Sequence, residues 1–209
     1  LDEGPQVAAY VRELASKFEA ENPGHKVYLT GLVMLNTAFN EAAIKDMGTL
    51  IPLMYLAIIV IMAFLLKSFF AVATTFTVLL LSVAGAMGIA GWLGIPITPP
   101  SSIAPTVILT LAIADSVHIL KSIITLMKKG WAKKEAIIEG LRVNLQPVFL
   151  TSFTTAIGFL SLNFSDTPPF NDLGNITAFG VVFAFLLSIT LPPVMTDLFP
   201  LKVKKSADG

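Results

Sequence analysis

TLIPLMYLAIIVIMAFLL, Thr49 to Leu66, is eighteen residues long and carries no charge. At 1.5 Å of rise per residue such a helix is about 27 Å long, close to the thickness of a bilayer's hydrocarbon core. Pro52 falls in its first turn, where a missing N–H costs least. Further along the chain four more apolar runs follow, at about 70–94, 103–127, 146–164 and 174–198. One such run could be a buried helix of a large soluble protein, but five in succession point to a membrane. Pro147, Pro192 and Pro193 are expected near span ends.

Composition agrees with that reading. Hydrophobic residues make up 55% of the 209-residue chain, charged residues only 13%, and mean hydropathy is +0.78. Soluble domains usually carry about twice that share of charge. Acidic and basic residues balance at fourteen each, so no basic excess suggests nucleic acid. The absence of cysteine rules out disulfides, thiolate metal sites and cysteine nucleophiles. With only two histidines, no metal site is expected. No phosphate-binding glycine loop, HExxH or nucleophile-elbow pattern occurs. The expectation is therefore a protein that is not an enzyme and has no cofactor, with energy for any work coming from another chain or from an ion gradient.

Residues 1–48 have a different texture and read as a short α/β piece. Val7, Val11, Leu14 and Phe18 recur at spacings of four, three and four, one face of an amphipathic helix with Pro5 in its first turn. The turn ENPGH, Glu21 to His25, ends it. KVYLTG, Lys26 to Gly31, then reads as a strand, and Asn36 as the N-cap of a helix leading into the first span. No signal peptide is visible, and the chain opens on Leu1, so it is expected to be part of something longer.

The connectors between spans fix an expected orientation. Lys67 follows the first span, Lys128, Lys129, Lys133, Lys134 and Arg142 follow the third, and Lys202, Lys204 and Lys205 follow the fifth. GIPITPPSS (Gly94 to Ser102) and SDTPPFNDLGN (Ser165 to Asn175) contain no Lys or Arg. The positive-inside rule then puts the basic connectors and the tail 200–209 in the cytoplasm, and residues 1–48 outside it. An earlier membrane helix would have to carry residues 1–48 across. KKGWAKKEAIIEGLR (Lys128 to Arg142) has Trp131, Ile138 and Leu145 seven residues apart, and residues 130–142 are expected to form an interfacial helix or a packed linker.

Within the spans, the polar residues stand out. Asp115 is the thirteenth residue of the run from Ile103 to Met127, near mid-membrane, where an ionised side chain costs about 2.5–3.5 kcal/mol even on a lenient scale. Such a residue should face the bundle interior or a wet cavity and is a candidate proton carrier. His118 lies three residues on and is a candidate partner or second relay station. Lys121 is about 9 Å further along the helix and can snorkel to the interface. Thr151, Ser152 and Thr155 in the fourth span form a polar strip that could support the relay or simply bond back to their own helix. Ala84 with Gly88, and Ala86 with Ala90, are small-residue pairs suited to close helix packing.

LAIADSVHIL, NLQPVFLTSFTTAIGFLSLNFSD and PPFNDLGNITAFGVVFAF, together with the order of an extracytoplasmic piece and five helices, resemble the resistance–nodulation–division (RND) superfamily. The similarity is to its predicted-exporter and MMPL-like branch, related to Patched and sterol-sensing-domain proteins. It implies a mainly α polytopic bundle forming one half of a twelve-helix transporter, with residues 1–48 the end of a porter domain and 49–199 the membrane domain. It also implies export of lipids or other hydrophobic molecules driven by protons across a bacterial or archaeal inner membrane. Asp115 matches the family's relay aspartate, although Leu111 and Ile113 stand where the common Gly-x-Gly-x-Asp motif has glycines. Expected partners are membrane lipids, a hydrophobic substrate, and a second half or a second copy of the chain. A sterol-sensing-like lipid-binding regulatory domain without transport is the alternative. An auxiliary of protein translocation with the same fold matches the quoted segments less well.

Overall fold

The computed structural model describes residues 3–199, so the basic tail at 200–209 lies outside the described residues. Seven helices follow one another: α1 (Glu3–Glu21), α2 (Leu32–Gly48), α3 (Leu50–Leu66), α4 (Phe69–Trp92), α5 (Ala104–Lys128), α6 (Lys133–Leu160) and α7 (Pro168–Leu198). Short 3-10 turns at Ser101–Ile103 and Ser161–Phe164 precede α5 and follow α6. The chain divides into two bodies, with the boundary between Leu56 and Ala57, inside α3.

In the first body α1 and α2 are joined by a bidentate pair, Arg12 to Glu41. The expected α/β character is not observed. Lys26 to Gly31 contains no strand, and no strand occurs among the described residues. A strand needs a neighbour for its N–H and C=O groups, and residues 1–48 offer only this one candidate. The N–H of Val27 instead donates to Glu19 Oε1 at 2.7 Å. Helix α2 begins four residues before Asn36, with Gly31 as its N-cap, so Asn36 is interior rather than capping. The α1 periodicity is present, but Val7, Leu14 and Phe18 are exposed and Ala8 is the buried residue.

The second body is a helix bundle. Four stretches in it are long and apolar enough to cross a membrane, Phe69–Trp92, Ser101–Lys128, Lys133–Phe164 and Pro168–Leu198, and a fifth, Leu32–Leu66, runs across the boundary between the two bodies. Helix α7 is central, in contact with α4, α5 and α6. Its buried stripe is rich in small residues, Gly174, Ala178, Gly180, Ala184 and Ser188, which let neighbouring backbones approach where lipid offers no hydrophobic drive for association. Gly180 opposite Ile108 and Ser188 opposite Ser116 advance together, so α5 and α7 run parallel. Ile123 opposite Gly140 and Asp115 opposite Ser152 run the other way, making α5 and α6 antiparallel.

The ends of the helices are specified locally. Helices α4 and α5 both finish in a Schellman motif, with Gly94 (φ 68) and Gly130 (φ 90) in the left-handed conformation. The N–H of Ile95 bonds Ala90 O, and that of Trp131 bonds Leu126 O. Ser68 caps α4 by accepting from the N–H of Ala71. At the far end of α7 the Lys133 ammonium donates to the carbonyls of Asp197 (2.7 Å) and Phe199 (3.2 Å), and Phe199 stacks on Phe70 with ring centroids 5.4 Å apart. A cation on C-terminal carbonyls answers the negative end of the helix dipole. At the opposite end Asn163 and Asn175 exchange two hydrogen bonds, of 2.9 and 3.1 Å.

Helix α6 departs from the expected layout. Residues 133–142 and the fourth span form one continuous helix, with Pro147 in its interior and not near an end. Pro192 and Pro193 are likewise inside α7. Each proline removes one backbone N–H and leaves a carbonyl one turn back without its donor.

Candidate functional site

The buried face of α5 reads Ile108, Ala112, Asp115, Ile119, Ile123, with spacings of four, three, four and four. Asp115 thus occupies a core position of an apolar stripe and is only 4% exposed, between Ala112 and Ile119, which are fully buried. Its Oδ2 accepts a hydrogen bond from Ser152 Oγ on α6 at 3.2 Å. It makes no salt bridge among the described residues. An ionised carboxylate so enclosed needs either a partner charge or a proton. Beside it Ser116 of α5 and Ser188 of α7, both fully buried, share a hydrogen bond of 3.1 Å. Two hydroxyl contacts at one level therefore tie α5 to α6 and to α7.

Of the expected relay residues, the structure brings together Asp115 and Ser152. Thr151 is exposed and returns its hydroxyl to Pro147 O at 2.9 Å. Thr155 is half-buried, and its hydroxyl has no hydrogen-bond partner among the described residues. His118 is exposed and makes no hydrogen bond to Asp115. It lines a groove of about 230 Å³ with Ile58, Ile61 and Met62 of α3. The sequence reading passed over Ser116 and Ser188. Their signal was present, a serine directly after Asp115 and another inside the apolar run AFLLSITL.

The packing pairs divide by face. Ala86 and Ala90 are buried against α7 and α5, with Leu173, Ile176 and Ala104 beside Ala90. Ala84 and Gly88 are exposed, and a Cβ on Gly88 would meet nothing within 4 Å. The close approach falls instead at Gly85, where a Cβ would stand 3.1 Å from the Phe183 ring. Leu111, at a motif glycine position, packs against Ala156, Ala178 and Val181. Ile113, at the other, lines the α3 groove.

Among the described residues no three His, Asp or Glu side chains come together as a metal site. Membrane-length helices packed through small residues around an enclosed carboxylate define a multi-pass membrane protein with a polar centre. The chain belongs to the MMPL family, matching it over residues 2–203. It is 24% identical over 173 residues to "Putative membrane protein MJ1562" of Methanocaldococcus jannaschii, covering 83% of this chain and 45% of that protein. It is 21% identical over 168 residues to the nickel-cobalt-cadmium resistance protein NccA of Alcaligenes xylosoxydans xylosoxydans, covering 79% and 16%. The nickel and cobalt resistance protein CnrA of Cupriavidus metallidurans is 22% identical over 161 residues, covering 76% and 15%. The chain spans less than half the length of these curated relatives.

Proposed function

We propose that this chain forms half of the membrane part of an RND-type exporter, in which proton movement drives lipids or other hydrophobic small molecules outward across the inner membrane. The observation that carries the proposal is Asp115, enclosed at mid-helix and held by one hydroxyl. Ser152 can donate to an ionised carboxylate or accept from a protonated acid. The contact can therefore persist through a protonation cycle. The cycle changes what Asp115 demands of the rest of the bundle: a neutral acid suits the apolar stripe, and an anion requires further donors or a cation.

In this reading a second half, or a second copy of the chain, supplies that partner. His118, exposed beside α3, is the next station for the proton. Carrying one charge through the membrane potential supplies about 2.3 kcal/mol per 100 mV. Residues 1–48 belong to the extracytoplasmic porter domain, and the basic connectors face the cytoplasm. Family membership and the resistance named for two relatives support a transport role.

The test is Asp115→Asn in the parent protein, reconstituted in vesicles under an imposed pH gradient with a hydrophobic dye as cargo. Transport is expected to be abolished while insertion and folding are retained. Normal proton-dependent transport by Asp115→Asn would overturn the proposal.

A further inference from the structure

At the basic end of the bundle α5 and α6 part to leave a cleft of about 330 Å³, within the range of small-ligand sites. Lys121, Ser122, Thr125 and Leu126 line it from α5, and Glu139 and Val143 from α6. We propose that this cleft holds the phosphate headgroup of an anionic phospholipid from the adjoining leaflet.

The lining has unused donors. Thr110, Thr151 and Thr154 return their hydroxyls to carbonyls of their own helix. Among the described residues the hydroxyls of Ser122 and Thr125 make no hydrogen bond, and the Lys121 ammonium makes neither a hydrogen bond nor an ion pair, while the Thr125 carbonyl is taken by the N–H of Lys129. Lys121, Ser122 and Thr125 stand at i, i+1 and i+4, so one phosphate can meet the ammonium and both hydroxyls from a single face of α5.

Charge favours an anion. The one acidic group in the lining, Glu139, has both oxygens engaged by Arg142, with two bonds of 2.8 Å. That pair is neutral, so Lys121 sets the charge of the cleft. Outside the lining, Lys128 and Lys129 close α5 and Lys134, next to Glu135, stands in the first turn of α6.

Depth and shape favour a lipid over a soluble anion. Lys121 lies seven residues before the end of α5, about 10 Å along the helix, within reach of the headgroup layer for a snorkelling lysine. Val143 offers an apolar wall to the first carbons below the phosphate, and Leu126 one on the headgroup side of it.

Native mass spectrometry of the purified full chain, titrated with phosphatidylglycerol, phosphatidylcholine or inorganic phosphate, tests the site. Phosphatidylglycerol is expected to bind best. Lys121→Gln should weaken it about fivefold, the effect of one basic residue at an anionic surface. Lys121→Arg should preserve binding, which separates charge from misfolding, and Val143→Trp should block it by filling the cleft. Equal binding of phosphatidylglycerol by wild type, Lys121→Gln and Val143→Trp would overturn the proposal. Inorganic phosphate binding as tightly as the lipid would assign the cleft to a free anion and overturn it too.

Discussion

Asp115 and Ser152 are thirty-seven positions apart in the chain, and their contact depends on the register of two antiparallel helices. Ser152→Ala removes the hydroxyl that Asp115 holds. Interhelical polar contacts in membranes average about 0.6 kcal/mol, so unfolding in lipid nanodiscs should shift only slightly. Transport by the parent protein should fall much further, and an unchanged transport rate would separate Ser152 from the site. Asp115 was legible in the sequence because a carboxylate in an apolar run of membrane length has few bland explanations. The choice of Ser152 over Thr151 and Thr155 was not legible. Adjacent residues on a helix point about 100° apart, and only the neighbour's position decides which one turns inward. His118 shows the same limit, since three residues beyond Asp115 was enough to leave it on the exposed side.

For the helices, glycine positions separate packing from open surface. A Cβ on Gly180 would run into the Ile108 side chain, with Ala86 Cβ 3.2 Å away. Gly180→Ala should therefore destabilise the bundle by about 1–3 kcal/mol, the usual cost of overpacking, and Ile108→Ala should partly restore it. Gly88→Ala should leave thermal stability unchanged. Thermal unfolding in detergent reads all three variants. The small-residue pairs announced that α4 packs closely but could not say which face does so, because alanines and glycines run right round that helix. The expected strand failed for a different reason. Local β-character in KVYLTG cannot form structure without a second strand. The interfacial helix merged into α6 because neither Gly140, seated against Ile123, nor Pro147 ended the helix.

At the scale of the whole molecule, five membrane-length helices were readable from hydropathy, since each run is set by bilayer thickness and not by its neighbours. The packing of α4, α5 and α6 around α7 was not readable, as it depends on small residues meeting across helices distant in sequence. Orientation can be tested directly because the natural chain has no cysteine. Single cysteines at Thr98 and Thr167 should react with an impermeant thiol reagent added to intact cells. One at Lys129 should react only in inverted vesicles. The reverse labelling pattern would invert the assigned topology.

Lys133 fastens the start of α6 to the end of α7, and the Asn163–Asn175 exchange fastens their other ends. Two rods joined near both tips resist scissoring and sliding against each other and behave as one beam. Helix α5 bears on that beam through the Asp115–Ser152 and Ser116–Ser188 contacts, side by side near its middle. On either side of that level the Ile108–Gly180 and Ile123–Gly140 approaches seat α5 on the same beam, so a change at its middle is met by close packing along the whole seam.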